Sequence, residues 1–240
     1  MRLSRLLVVS VVLLPAAVAS GADFPPVGKL PVNPELPDPL VMLDGRRVTT
    51  KQQWEQQRRP ELKALFQHYM YGYLPLKTAV KATLTASNDD LFGGKASWKS
   101  FTLQYGSEGT PPLELLLIVP KTQKGVPPVF VGINFCGNHS VLADPKVPLE
   151  TSWYWGGCPG CKDNVALEES RGGQVGNWNA ETIVDRGYAL ATFYYGDVDP
   201  DKRDNDFTDG VHPYFFKDGQ TEPGKYDWGA VAAWAYGVHR

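Results

Sequence analysis

The chain has 240 residues, 42% of them hydrophobic and 12% aromatic, enough to furnish one core of ordinary domain size. Its 26 acidic and 24 basic residues leave a formal net charge of -2. The basic residues are scattered, which argues against nucleic acid as a partner.

Arg2 and Arg5 precede an apolar run from Leu6 to Leu14, and Pro15 leads into small residues up to Ala22. This is the layout of a cleaved secretory signal, and the run is too short to span a bilayer. The sequence therefore predicts a signal over residues 1–22, cut after Ala19 or Ala22. The mature chain would be secreted or periplasmic, with no membrane association. Six prolines, at positions 25, 26, 31, 34, 37 and 39, predict an extended leader over 23–45. One domain is expected over 46–240.

A helix is expected from Thr49 and Thr50, with Gln52 and Gln53 placed for a capping box. Pro60 fits a first helical turn, and Gly72 is the stop. Leu62, Leu65, Phe66, Tyr69 and Met70 share one helical face and read as core. Val80 to Ala86 and Ser97 to Tyr105 then alternate, and Leu113 to Val119 is nearly all apolar. With turns at Gly93-Gly94 and Pro111-Pro112, these segments predict two or three antiparallel strands.

Val129 to Phe135 reads as a central strand buried on both faces, running into Gly137-Asn138-His139. The connection to about Trp178 is rich in glycine and tryptophan, and its length marks it as functional. A short helix over Ala180 to Arg186 ends at Gly187, and Tyr188 to Tyr195 is the next strand. The carboxylate-rich stretch from Gly196 to Asp201 reads as a polar turn, since it lacks the ligand spacing and final Glu of a calcium loop. From Asp227, a candidate cap, the run Trp228 to Tyr236 is apolar on every side and predicts a helix buried on more than one face.

Cys136, Cys158 and Cys161 predict a disulfide in an exported protein. The Cys158-Pro159-Gly160-Cys161 spacing suits a redox motif or half a zinc site, but no second pair completes such a site and the setting reads as loop. Two readings stay open: a structural bond within the loop, or pairing of one cysteine with another beyond residue 240.

No Gly-x-Ser-x-Gly occurs, and Ser140, Ser152 and Ser170 lack the strand-turn-helix setting of an exposed nucleophile. His139 is the best-placed base, at the strand end where open α/β sheets bind ligands. A histidine that orders its own loop by hydrogen bonds is the favoured reading of it. His212, before Pro213, is expected in a turn or lining a pocket. Gly137 and Asn138 are candidates for an oxyanion loop, where a glycine permits close backbone approach. A plain glycine turn is the rival reading.

A strand, a tight glycine loop, a second strand and an apolar helix form the order found just before the nucleophile elbow of an α/β hydrolase. Phe130 to Phe135 with Gly137-Asn138-His139, Ile183 to Thr192, Tyr194 to Asp197, Gly210-Val211-His212-Pro213 and Trp228-Gly229-Ala230 carry a closer likeness. In this order they resemble the corresponding stretches of bacterial glucuronoyl esterases, carbohydrate esterase family fifteen. The resemblance implies an α/β hydrolase, a three-layer sandwich truncated before the elbow. It implies serine hydrolysis with no cofactor and no metal, on esters of 4-O-methyl-glucuronate in plant cell-wall glucuronoxylan. The family's Gly-x-Ser-Arg-x-Gly-Lys elbow and its later histidine and acid have no counterpart here, so no triad residue is assigned and the chain alone is expected to be inactive. Leu149 to Gln174 matches the family least and is expected to be an inserted loop bordering the site. The rivals are an acetylxylan or general carboxylesterase on the same fold, and a non-catalytic carbohydrate-binding module that stacks sugars on Trp153, Trp155 and Trp178.

Overall fold

The computed structural model describes residues 24–121, 125–203 and 207–240; the signal expected over 1–22 lies outside them. The chain divides into two units, one up to Phe66 and one from Gln67 onward.

In the first unit the leader is extended apart from one 3-10 turn at Val27–Lys29. Helix α1 (Lys51–Gln53) opens on a capping box in which Thr50 Oγ1 accepts the Gln53 N–H at 3.1 Å and Gln53 Oε1 accepts the Thr50 N–H at 3.3 Å. The run widens to π-helical turns over Trp54–Arg58 and returns to α-helix as α2 (Arg59–Phe66). Pro60 has no N–H to give, and the wider turn just before it absorbs the missing bond. Arg58 is buried, and it ties the leader to the helix: its Nε donates to the Pro39 carbonyl at 2.9 Å and its Nη1 to Glu61 at 2.6 Å. The expected apolar stripe is corrected. No residue of α2 is buried, and Phe66 and Met70 are exposed. The π turns take up extra residues, so a face counted at 3.6 residues per turn drifts out of register.

The second unit begins with π-helical turns over Gln67–Tyr71 that stop at Gly72. Gly72 has φ +78°, and a Cβ there would sit 2.0 Å from the Asp227 carbonyl oxygen, so only glycine fits. The unit is built on a five-stranded sheet of β1 (Lys81–Leu91), β2 (Ala96–Gln104), β3 (Leu113–Pro120), β4 (Val129–Asn134) and β5 (Ala189–Tyr194), in the order β1-β2-β3-β5-β4. β1, β2, β3 and β5 pair antiparallel, and β4 runs parallel to β5. β5 lies between β3 and β4, and every residue of it is buried.

Alternate side chains feed two cores on opposite faces. Trp98, Leu116, Ile118 and Leu190 pack with Val141 of α3 (Asn138–Val141) and Val184 of α5 (Ala180–Asp185). Leu103, Leu113 and Phe193 pack with Ala232, Ala233 and Tyr236 of α6 (Ala230–Val238). Helices thus cover both faces of the sheet, which makes three layers. A third cluster, with Cys136, Tyr154, Tyr194 and Tyr195, caps the carboxyl ends of β4 and β5.

Three expectations are corrected here. β4 is the edge strand of the described sheet, and Val129, Phe130 and Val131 are exposed; no strand among the described residues pairs its outer side. α6 starts after Gly229 without a side-chain cap. Asp227 accepts the Gly224 N–H at 2.8 Å and the Gln220 amide at 2.5 Å, ordering the turn before the helix. α6 also buries one face only, with Val231 and Val238 exposed, because the sheet approaches it from one side. The long connection after β4 has structure of its own in α3, a 3-10 turn at Glu168–Ser170 and α4 (Val175–Trp178). Among the described residues no helix is long and apolar enough to cross a membrane.

Candidate active site

β4 and β5 both end toward the third cluster, where parallel strands leave a crevice for ligands. After β4 the chain turns at Gly137, φ +84°, where a Cβ would lie 2.6 Å from both the His139 ring and the Tyr154 hydroxyl. The turn feeds α3, all four residues of which are buried. Asn138 is held on two sides: its Oδ1 accepts from Asn134 at 2.8 Å and its Nδ2 donates to the Glu114 carbonyl at 2.8 Å.

His139 is fully buried, with Nε2 2.8 Å from Ser170 Oγ. The Ser170 hydroxyl gives its proton to the Leu167 carbonyl at 2.5 Å, so the imidazole must be the donor in this pair. His139 therefore carries its proton on Nε2, and Nδ1 is left without a partner among the described residues. Burial, with the Arg171 charge adding, pushes the imidazole down to about 4 and keeps it neutral. The Ser170–His139 pair cannot form a nucleophile and base, because serine is the acceptor and both groups are buried. Ser140 likewise spends its hydroxyl on the Gly137 carbonyl at 2.7 Å. What this group does is fasten α3 to the following loop, helped by Gly172 and Gln174 N–H groups on the carbonyls of His139 and Ser140.

Gly137, Asn138 and His139 are thus brought together, whereas His212 belongs to a different group. It is fully buried in a 3-10 turn over His212–Phe215, with Nδ1 3.1 Å from Asp199 Oδ1 and its ring against Trp228. Burial pushes the Asp199 carboxyl up, partly offset by His212.

A cluster of acids was missed. The 3-10 turn Tyr195–Asp197 folds back beneath β3, and Asp197, Val198 and Asp199 are buried. The stretch after β5 is therefore not a solvated polar turn. Asp197 Oδ2 accepts the Glu114 N–H at 3.0 Å, and Tyr154 donates to Glu150 at 3.0 Å. Glu114, Glu150, Ser152, Trp153, Asp197 and Lys202 line a cavity of about 620 Å³. Burial, with the carboxylates acting on one another, raises Asp197 well above its usual range and Glu150 to about 7. Burial and mutual repulsion favour the protonated form of each over two full charges side by side. The available signal was two acids separated by one valine, with Tyr195 and Gly196 between them and a strand whose one hydroxyl-bearing aliphatic residue is Thr192.

The disulfide joins Cys136 to Cys158, with Cα atoms 5.5 Å apart, and Cys161 keeps its thiol, which burial pushes up. The expected disulfide is present, and it draws on Cys136 at the end of β4. The bond pins the loop carrying Glu150 and Tyr154 to the end of β4 instead of closing the short Cys158–Cys161 ring.

A sheet covered by helices on both faces, with a crevice at the ends of its parallel strands, is the architecture of an α/β hydrolase. No family model matches the chain. A glucuronoyl esterase from Solibacter usitatus superposes with a TM-score of 0.77 at 37% identity, covering 89% of this chain and 53% of that one. A promiscuous CE15 esterase from a marine bacterial metagenome gives 0.72 at 40% identity, covering 88% and 53%. In sequence, a carbohydrate esterase from an unknown prokaryotic organism is 40% identical over 205 residues, 85% of this chain and 47% of that protein. The 4-O-methyl-glucuronoyl methylesterase of Schizophyllum commune is 35% identical over 119 residues, 48% of this chain and 30% of its own length. The homologues of this chain are thus the glucuronoyl esterases of carbohydrate esterase family fifteen, and it spans about half the length of the relatives it matches.

Proposed function

We propose that this chain is the amino-terminal half of an exported serine carboxylesterase that cleaves 4-O-methyl-glucuronate esters in plant cell-wall glucuronoxylan. The observation that carries the reading is the likeness to the Solibacter usitatus glucuronoyl esterase at 37% identity across 89% of the chain. The nucleophile, base and acid would come from the half of the relatives that this chain does not match, since no Gly-x-Ser-x-Gly occurs in it. The unpaired side of β4 offers a place for a further parallel strand and its elbow.

In this reading residues 1–22 are the signal, 23–45 the leader and 46–240 the esterase portion. Gly137 and Asn138 shape the wall of the reaction crevice. His139 and His212 act as positioning residues, each buried and bonded inside its own loop.

Substrate choice tests the reading. The chain is joined to the unmatched half of the Solibacter usitatus enzyme and assayed on methyl and benzyl glucuronate and on acetylated xylan. Turnover of the glucuronate esters well above release of acetate is expected. Preference for acetyl groups would move the protein to the acetylxylan esterases, and no turnover by a folded protein would remove the esterase reading.

A further inference from the structure

The Cys158-Pro159-Gly160-Cys161 motif carries the free thiol of Cys161 directly beside a disulfide. Its four residues form a tight turn. The Cys161 N–H donates to the Cys158 carbonyl at 3.1 Å, and Gly160 takes the third position at φ +74°. Proline followed by a left-handed glycine is the pattern of a type II turn, which holds its end Cα atoms within about 7 Å. A disulfide spans about 4.4–6.8 Å between Cα atoms. Cys158 is therefore bonded to Cys136 while folded within bonding range of Cys161.

The surroundings give this arrangement a direction. Cys161 packs against the cluster that holds both bonded cysteines, and it is the one of the three that is partly exposed. The turn ties it to Cys158 rather than to Cys136. Gln174 Nε2 lies 3.8 Å from the Cys136 sulfur, turned there because Gln174 Oε1 accepts from Asn177. A donor beside a sulfur favours its anionic form, which is what a leaving thiolate needs. The Cys158 sulfur instead lies 3.1 Å from the Phe135 carbonyl oxygen, which disfavours negative charge there. Attack on Cys158 with departure of Cys136 is the favoured course.

We propose that the three cysteines form an exchangeable latch, in which Cys161 displaces Cys136 from Cys158 and frees the loop from the end of β4. Cys161 gives its proton to solvent, and its thiolate attacks the Cys158 sulfur. The Cys158–Cys161 bond forms as the Cys136–Cys158 bond breaks, and the electron pair leaves with Cys136, which takes up a proton. One disulfide and one thiol stand on each side, so no oxidant or reductant is consumed. The latched form pins the loop of Glu150, Trp153 and Tyr154 to β4; the exchanged form leaves that loop to its hydrogen bonds and packing. Burial pushes the Cys161 thiol up against the opposing effect of Ser170, with no charged group contributing, so thiolate is scarce near neutral pH and the latch holds there.

Disulfide mapping tests the proposal. The native protein is held without added thiol at about pH 8.5, quenched in acid, alkylated and cut with trypsin. Cleavage after Lys124, Lys146 and Lys162 puts Cys136 in one peptide and both Cys158 and Cys161 in another. The latched form yields the two peptides joined, with Cys161 alkylated. The exchanged form yields the second peptide closed on itself and the first alkylated at Cys136. The closed peptide should accumulate with time, about tenfold faster per pH unit between 7 and 8, since the thiolate is the nucleophile. Gln174→Leu should slow it several-fold while leaving alkylation of Cys161 unchanged. Cys136→Ser fixes the exchanged pairing and Cys161→Ser the latched one, and chymotrypsin should cut at residues 153–155 several-fold faster in the first. No closed peptide from wild type, or a rate that climbs steeply with urea below the unfolding transition, would overturn the exchange. Equal cleavage of the two serine variants would overturn the latch.

Discussion

The Cys136–Cys158 bond should be a principal fastener of the candidate site, and its removal gives a calculable loss. The two cysteines are 22 positions apart, so the bond closes a loop whose entropy in the unfolded chain it removes. For a loop of about that length the chain-entropy relation gives ~11 cal/mol/K, or ~3.4 kcal/mol at room temperature. Both cysteines are buried, so the double change Cys136→Ala with Cys158→Ala also loses packing around Tyr154 and Tyr194. A single change would leave an extra thiol and confuse the comparison. With a urea slope of ~2–3 kcal/mol per molar, the midpoint should fall by about 1–2 M. Thiol counting under denaturing conditions should find one reactive group before reduction, that of Cys161, and three after it. Three thiols without reductant, or an unmoved midpoint in the double variant, would refute the reasoning.

Other groups give further expectations. Burial raises Glu150 and Asp197 above their unfolded values, so the folded state binds extra protons there. The Glu150 contribution is complete below its usual value of 4.5 and is lost as pH rises through about 7, and Asp197 acts in the same direction. Unfolding midpoints should therefore fall between pH 5 and 8, and Glu150→Gln should flatten that slope; an unaltered slope contradicts the assignment. His139 has the opposite sign: its pKa is depressed to about 4, so its contribution is present above about pH 6.5 and lost as pH falls toward 4. An NMR titration should show the ring neutral with the proton on Nε2, and a midpoint near 6.5 would contradict it. Gly137→Ala combines a left-handed backbone with contacts of 2.6 Å, and should cost about 2–4 kcal/mol in denaturant unfolding; a loss below 1 kcal/mol would mean the turn relaxes. Arg58→Ala should free the leader from the helix, and limited proteolysis should then cut within residues 30–45 faster than in wild type.

Much of the fold was legible because local chemistry and tertiary structure agree. Thr50 and Gln53 close the capping box that their spacing predicts. Alternation or apolar runs place β1, β2, β3 and β5 within a few residues of their observed bounds. What failed depends on neighbours distant in sequence. The apolar run of β4 signals burial, yet a strand's cover is set by what packs beside it, and no strand among the described residues pairs its outer side. Asp227 has the residue type of a cap, but its carboxylate is claimed by Gly224 and Gln220. At the candidate site, the glycine turn and its following helix could be read from Gly137-Asn138-His139. The carboxylate cluster could not, because Glu114, Glu150 and Asp197 come from three separate segments and only the fold brings them to one cavity. A disulfide was expected, but its pairing was hidden for the same reason, the short Cys158–Cys161 spacing outweighing a partner 22 residues away.

The most direct test of the account compares hydrolysis of benzyl glucuronate by the 240-residue chain alone and by the same chain joined to the unmatched half of the Solibacter usitatus enzyme. The account predicts no turnover from the chain alone, in which the described residues bring no nucleophile–base pair together at the surface, and inhibitor-sensitive turnover from the joined protein. Inhibitor-sensitive turnover by the 240 residues alone would contradict it.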